Sequence, residues 1–236
     1  MIDLHSHILP QMDDGSASLE ETSQLLTLLK QQGVTTVVAT PHYRPTLETP
    51  QDFLTRREEA AKQLETLSGA HPDILLGAEV AYFAGIGGCE DIIPLQLGDS
   101  KLLLVEMPFT PWSERMIRDV CDIGSRLGLI PVLAHVNRYR RRQQLPKYLS
   151  QLTEGGVLLQ CNAEVFSELT GKRWAISMLK KGRIHFLGSD CHNMQNRQPQ
   201  MDVAYRFIEK KLGSNFLDRF QENISMFFSQ KKTDSA

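Results

Sequence analysis

Short apolar runs alternate along the chain with longer stretches in which apolar residues recur every three or four positions. This is the pattern of strands separated by helices, and hence of βαβ units in a parallel sheet. The runs predict strands near Met1–His5, Thr36–Thr40, Ile74–Glu79, Leu102–Glu106, Ile130–His135, Val157–Asn162 and His185–Ser189. The first helix has the clearest signals: Ser18-x-x-Glu21 is a capping box, Leu19, Leu25, Leu26 and Leu29 share one face, and Gly33 ends it. Further helices are predicted at Pro50–Leu67, Ser113–Leu127, Leu145–Thr153, Ser167–Lys181, Met201–Lys211 and Ser214–Phe228. Repeated strand–helix units with short loops favour a closed barrel over an open doubly wound sheet, so the expected fold is α/β, a distorted TIM-like (β/α)7 barrel.

Composition narrows the class. The 236 residues are 41% hydrophobic, enough for one sizeable core, and a single domain over residues 1–230 is expected, with the polar end KKTDSA (231–236) as a disordered tail. Net charge is −2, and basic residues are scattered apart from the run RYRRR, which excludes a dedicated nucleic-acid or anionic-membrane binder. MIDLHSHILP lacks the form of a secretory leader, and no apolar stretch approaches the ~20 residues of a membrane span, so a soluble, cytoplasmic protein with no membrane insertion is expected. Cys89, Cys121, Cys161 and Cys191 form no C-x-x-C pair, which argues against a thiolate zinc site or a disulfide framework.

The chemistry lies at the strand ends. In order, the predicted strands end at or near His5 and His7, His42, Glu79, Glu106, His135, and Asp190 with His192. A parallel barrel gathers these ends on one rim. His-x-His at a strand end sends both imidazoles to one side, because strand side chains alternate, and Asp190-Cys191-His192 repeats the spacing. A single His-x-His is as readily an ordinary surface or core pair. Two such pairs plus four further strand-end ligands make a metal site. Nitrogen and carboxylate donors without sulfur suit Mn²⁺, Fe²⁺ or Zn²⁺, and a carboxylate such as Glu79 can bridge two ions. Asp14, in MDDGS, completes a set large enough for three ions, although Asp-Gly alone is also a common turn signal.

The stretches MIDLHSHILPQMDDGS, ATPHY, GAEV, LLVEMPF, PVLAHVNRY and GSDCHN resemble the PHP (polymerase and histidinol phosphatase) domain family. Within it they resemble the bacterial manganese-dependent protein tyrosine phosphatases of capsule and exopolysaccharide operons. The resemblance implies a PHP-type barrel holding three divalent ions, Mn²⁺ first, with Fe²⁺, Zn²⁺ or Mg²⁺ as alternatives. It implies one ion held by His5, His7, Glu79 and Asp190, a second by Glu79, Glu106 and His135, and a third by Asp14, His42 and His192. It also implies a tyrosine-phosphorylated protein substrate, the tyrosine-rich tail of an autophosphorylating polysaccharide-synthesis kinase. Nuclease and histidinol phosphatase members usually carry histidine where Glu106 and Asp14 stand, which separates this chain from them. Arg138 and Arg197 also match the tyrosine phosphatase branch, and a guanidinium fork suits a phosphate dianion. For Arg140, Arg141 and Arg142, a solvated charge run is the better reading.

One departure is YFAGIGGCED, glycine-rich where that family has a polar or aromatic stretch. Tyr43, Tyr82, Phe83, Phe109, Trp112 and Tyr139 follow ligands closely and either line a sleeve for an aromatic ring or pack in the core. Cys191 to Arg197 has the C-x₅-R spacing of cysteine-dependent phosphatases, but that loop holds no glycine, and metal-type residues flank the cysteine. Two further alternatives are a small-molecule phosphatase of the histidinol-phosphatase type and a non-catalytic, metal-stabilised scaffold.

Overall fold

The computed structural model describes residues 1–141 and 145–229; the expected tail 231–236 and Arg142 lie outside them. Nine strands and seven α-helices alternate among the described residues. β1 (Ile2–Ser6), β2 (Thr36–Ala39) and β4 (Asp73–Leu76) form one parallel sheet. β3 (His42–Tyr43), β5 (Glu79–Ala81), β6 (Leu102–Glu106), β7 (Ile130–Leu133), β8 (Leu158–Asn162) and β9 (Phe186–Gly188) form a second, ordered as named and also parallel. The ring closes between its first and last strands: the Asp190 N–H donates to His5 O at 2.7 Å, and the His7 N–H donates to Cys191 O at 2.9 Å. The barrel expected from the hydrophobic pattern is therefore present, built from two sheets joined edge to edge.

Two predicted strands are each broken in two. Thr36–Thr40 stops at Ala39, because Pro41 has no N–H to give the ladder, and pairing resumes at His42. Ile74–Glu79 divides at Gly77–Ala78. There the Gly77 carbonyl accepts from buried Arg57 at 3.1 Å, and a Cβ on Gly77 would sit 2.5 Å from Leu97, so the backbone is pressed against the layer behind it. These breaks carry the chain from the small sheet to the large one and turn His42 and Glu79 onto the same rim.

The helices start where their caps say. Ser18, Thr49 and Ser113 accept from the N–H groups of Glu21, Asp52 and Met116, opening α1 (Leu19–Gln31), α2 (Pro50–Leu64) and α3 (Glu114–Leu127). α4 (Leu145–Glu154), α5 (Leu169–Lys180), α6 (Met201–Leu212) and α7 (Ser214–Phe228) follow. α2 ends at Leu64, short of the expected Leu67, and α5 starts after a separate 3-10 turn at Ala163–Ser167. Between β5 and β6 two 3-10 turns, Ile86–Gly88 and Glu90–Leu95, replace an α-helix. This explains the glycine-rich segment: a Cβ on Gly87 would lie 2.5 Å from the Asp119 carbonyl of α3, so only glycine allows the close approach. The core is continuous, with Leu4, Val37, Val80, Leu104, Leu133, Leu159 and Leu187 fully buried on the strands. No helix among the described residues is long and apolar enough to cross a membrane.

Candidate metal centre

All nine residues expected to bind metal converge at the C-terminal rim, with Glu79 at their centre. Its Oε2 lies 3.2 Å from His5 Nε2, 3.3 Å from His7 Nε2 and 3.0 Å from His42 Nδ1, while Oε1 lies 2.9 Å from His135 Nε2. Glu106 approaches the same His135 nitrogen at 3.2 Å. Asp190 Oδ1 stands 3.6 and 3.5 Å from the Nε2 atoms of His5 and His7. Asp14, on the loop before α1, is 3.6 Å from His42 and 3.7 Å from His192. Most of these groups are buried; only Asp14 is largely exposed.

The spacing can be tested against a shared ion. Donors ~2.1 Å from one cation and separated by octahedral or tetrahedral angles stand ~3.0–3.4 Å apart. The His5, His7 and Glu79 separations of 3.1, 3.2 and 3.3 Å fall in that range. Three sets of donor atoms lie within 4.8 Å of one another: His5, His7 and Asp190; His42, Glu79 and Glu106; and His7, Asp14, His42 and His192. The sets overlap the grouping implied by resemblance without reproducing it: Glu79 is absent from the first, His42 stands in place of His135 in the second, and His7 is added to the third. Buried Glu79 Oε1, His42 Nδ1, His135 Nε2 and His192 Nε2 have no aligned hydrogen-bond partner despite their close neighbours. Buried polar atoms are rarely left so, and lone pairs aimed at common points fit cations.

Charge reinforces the geometry. Burial opposes ionisation of Glu79, yet His5, His135 and His7 hold its carboxyl well below the usual range, and His5, His7 and Arg138 do the same for Asp190. Burial disfavours the imidazolium of His7, but Asp13 and Glu79 outweigh it and lift the pKa to about 10. His135 is lifted against burial by Glu106 and Glu79 to about 9. His192 is pushed down to about 3 by burial and by His7. A pocket of ionised carboxylates that draws protons onto His7 and His135 will draw divalent cations as well.

The supporting residues were not anticipated from the sequence. Asp13 Oδ2 lies 2.6 Å from His7 Nδ1 and accepts the His42 N–H at 2.8 Å, so the two aspartates of MDDGS divide the work: Asp14 faces the cluster and Asp13 orients its histidines. Gln160 Oε1 accepts the His135 N–H at 2.6 Å and lies 3.3 Å from His5 Nδ1. Asn162 donates to Asp190 Oδ2 at 2.7 Å. Gln160 and Asn162 stand two apart on a buried strand, and such an alternating polar pair in an apolar run was the available signal. His135 (φ 32°) and Asp190 (φ 52°) occupy the left-handed region, a strained conformation that turns each away from its strand and into the cluster.

Arg138 and Arg197 both reach the centre, each gripping one oxygen of Asp190: Arg138 through Oδ2, and Arg197 through Oδ1 at 2.9 Å. Both remain partly exposed, so part of each fork faces solvent. Asn193 accepts from the backbone N–H groups of Gln195, Asn196 and Arg197 and shapes the loop that delivers Arg197. Cys191 is fully buried, and burial pushes its thiol up, so it offers no reachable thiolate and the C-x₅-R reading fails.

Known proteins resemble the chain over almost its whole length. The chain is 30% identical over 238 residues to the tyrosine-protein phosphatase YwqE of Bacillus subtilis, covering 96% of this chain and 91% of that protein. It is 34% identical over 232 residues to the tyrosine-protein phosphatase CpsB of Streptococcus pneumoniae, covering 91% and 92%. A crystal structure from work on YwqE and CpsB, described as unique metal-dependent tyrosine phosphatases, superposes with a TM-score of 0.83 at 27% identity over 98% of this chain and 96% of that one. The family model for capsular polysaccharide synthesis, CpsB/CapC, matches residues 1–227, and the chain belongs to that family.

Proposed function

We propose that this chain is a metal-dependent protein tyrosine phosphatase that hydrolyses phosphotyrosine with water as the nucleophile. The observation that carries the reading is the Glu79-centred cluster, in which buried Glu79 Oε1, His42 Nδ1, His135 Nε2 and His192 Nε2 lack an aligned hydrogen-bond partner and the donors are spaced for shared cations. Full-length kinship to two tyrosine-protein phosphatases supports the substrate class. Three divalent ions, Mn²⁺ first, would be held by His5, His7, Glu79 and Asp190, by Glu79, Glu106 and His135, and by Asp14, His42 and His192. When bound, such ions lower the pKa of coordinated water towards neutrality and neutralise phosphoryl oxygens.

The chain's own groups do the rest. Glu79 holds the cluster together through both its oxygens, and Asp13 and Gln160 fix the imidazoles. Arg138 and Arg197 meet the charge on the transferring phosphoryl group through the parts of their forks not engaged with Asp190. The leaving tyrosinate has a pKa of only ~10 and needs no dedicated acid. We read residues 1–230 as one cytoplasmic domain acting on the tyrosine-rich tail of a polysaccharide-synthesis kinase. The test is steady-state kinetics of metal-stripped protein reloaded with Mn²⁺, on phosphotyrosine peptides, phosphoserine peptides and histidinol phosphate. Preference for phosphotyrosine is expected; preference for histidinol phosphate would overturn the reading.

A further inference from the structure

Of the six aromatic side chains that follow candidate ligands in the sequence, the structure commits most to packing. Tyr43, Trp112 and Tyr139 are buried, Tyr82 donates to Asp119 at 2.7 Å, and Phe83 packs against the core. Phe109 differs: 58% of it is exposed. It stands three residues beyond Glu106, on the connection from β6 to α3. Its ring lies almost parallel to that of His135, 6.0 Å away with 13° between the planes, and 5.5 Å from Tyr139.

An exposed aromatic taken singly needs no explanation. The position of this one does call for an account, because its neighbour His135 is a buried member of the ligand cluster. In an aryl phosphate only one oxygen separates the ring from phosphorus. With the phosphoryl group at the cluster, the ring must therefore lie just outside it, at the rim where Phe109 stands. Aromatic pairs attract in offset or edge-to-face arrangements, and a substrate ring would bury apolar surface of Phe109 that is now wet.

We infer that Phe109 is a specificity residue, the platform against which the aryl ring of the substrate packs; the inference rests on the tyrosine phosphatase reading above. A phosphoserine side chain brings no ring to this platform. Because the packing is made equally in the bound substrate and in the transition state, it acts on KM more than on kcat.

The test uses the full chain loaded with Mn²⁺, and kcat and KM for a phosphotyrosine peptide, phenyl phosphate and glycerol phosphate. Phe109→Ala is expected to lower the aryl-to-alkyl ratio of kcat/KM about tenfold, equivalent to about 1.4 kcal/mol, mainly through KM. Phe109→Trp keeps the ratio, and Phe109→Leu falls between. A ratio within about twofold of the parent's, or a parallel loss on aryl and alkyl substrates with a fall in bound Mn²⁺, would overturn the inference; the second result would make Phe109 a prop for His135. If the parent protein cleaves neither the peptide nor phenyl phosphate, the phosphatase reading itself falls and takes this inference with it.

Discussion

Asp13→Ala perturbs the centre without removing a candidate ligand. The carboxylate serves three donors: His7 Nδ1 at 2.6 Å, the His42 N–H at 2.8 Å and the Gly15 N–H at 2.9 Å. Two backbone amides left unpaired at ~1–3 kcal/mol each, in a partly buried setting, give a loss of about 2–4 kcal/mol. In a domain of this length that is a fall of roughly 5–15 °C in Tm. Loss of the group that orients a metal-binding histidine should also weaken Mn²⁺ affinity about 10–100-fold. The pH dependence has a definite sign. Against the burial that disfavours its imidazolium, His7 is lifted to about 10 by Asp13 and Glu79, and Asp13 is held below its usual range, despite its own burial, by His7. In chelator, the pair's stabilisation is therefore full between about pH 4 and 6.5, lost on the alkaline side as pH rises through His7's folded pKa, and lost on the acid side as pH falls through that of Asp13. Melts of parent and variant in EDTA should diverge most at pH 5.5 and converge towards pH 10. Asp13→Asn sharpens the test: its single carbonyl oxygen can still take a backbone N–H, but an amide N–H facing His7 favours the wrong tautomer, so stability recovers in part while Mn²⁺ affinity does not. Calorimetric Mn²⁺ titration decides; affinity of Asp13→Ala within about threefold of the parent would refute the orienting role.

Chelation should abolish turnover and Mn²⁺ restore it, while Cys191→Ser keeps most of the rate; full activity after metal removal verified by elemental analysis contradicts this. Arg138→Ala and Arg197→Ala should each lower kcat/KM by about 10²–10³-fold, with lysine restoring only part. Exposed Arg141→Ala serves as a near-silent control for these two, and equal damage from it would make the charge run one docking patch. Asp3 is raised to about 6, chiefly by burial, so the native state holds its proton above the unfolded value and stability falls as pH rises from about 4 to 6. Asp3→Asn should therefore out-melt the parent at pH 8, by up to about 3 kcal/mol in chelator, and equal melting at pH 8 would refute this. Gly188→Ala places a Cβ 2.6 Å from that of His5 and 2.7 Å from Gln160 Nε2, so Tm and bound Mn²⁺ should fall together; a normal metal content would show that the seam can yield.

The candidate ligands could be brought together from the sequence because a strand-end pattern in a parallel fold converts linear order into one rim: His5, His7, His42, Glu79, Glu106, His135, Asp190 and His192 all follow from it. Asp14 could be read as well, though its loop placement gave it no geometric support. Their supports were hidden for a different reason. Asp13 serves His7 and the His42 N–H, Gln160 serves His5 and the His135 N–H, and Asn162 serves the Asp190 carboxylate; apart from the alternation of Gln160 and Asn162 nothing local marks these residues, because most of their partners lie far along the chain. The break at Pro41 follows from its missing N–H, but the break at Gly77 depends on Arg57 and Leu97 pressing from another layer. Nor could residue type reveal that His135 and Asp190 turn left-handed. The role of Gly87 and Gly88 required the neighbouring surface of α3.

The seam of the ring has a consequence for how the protein comes into being. Asp3 holds Ser189 across 186 residues of chain, and the cluster draws from both sides of that join. During synthesis His5 and His7 emerge first, yet they have no site to belong to until almost the whole sequence has followed. Drawing so long a loop shut costs about 4.6 kcal/mol in chain entropy beyond the constant term. Cations that bind only across the join would repay that cost, acting as a clasp as well as a reagent. Metal starvation would then leave a folded ring weakened at its fastening, opened more readily by quality-control proteases than the loaded form.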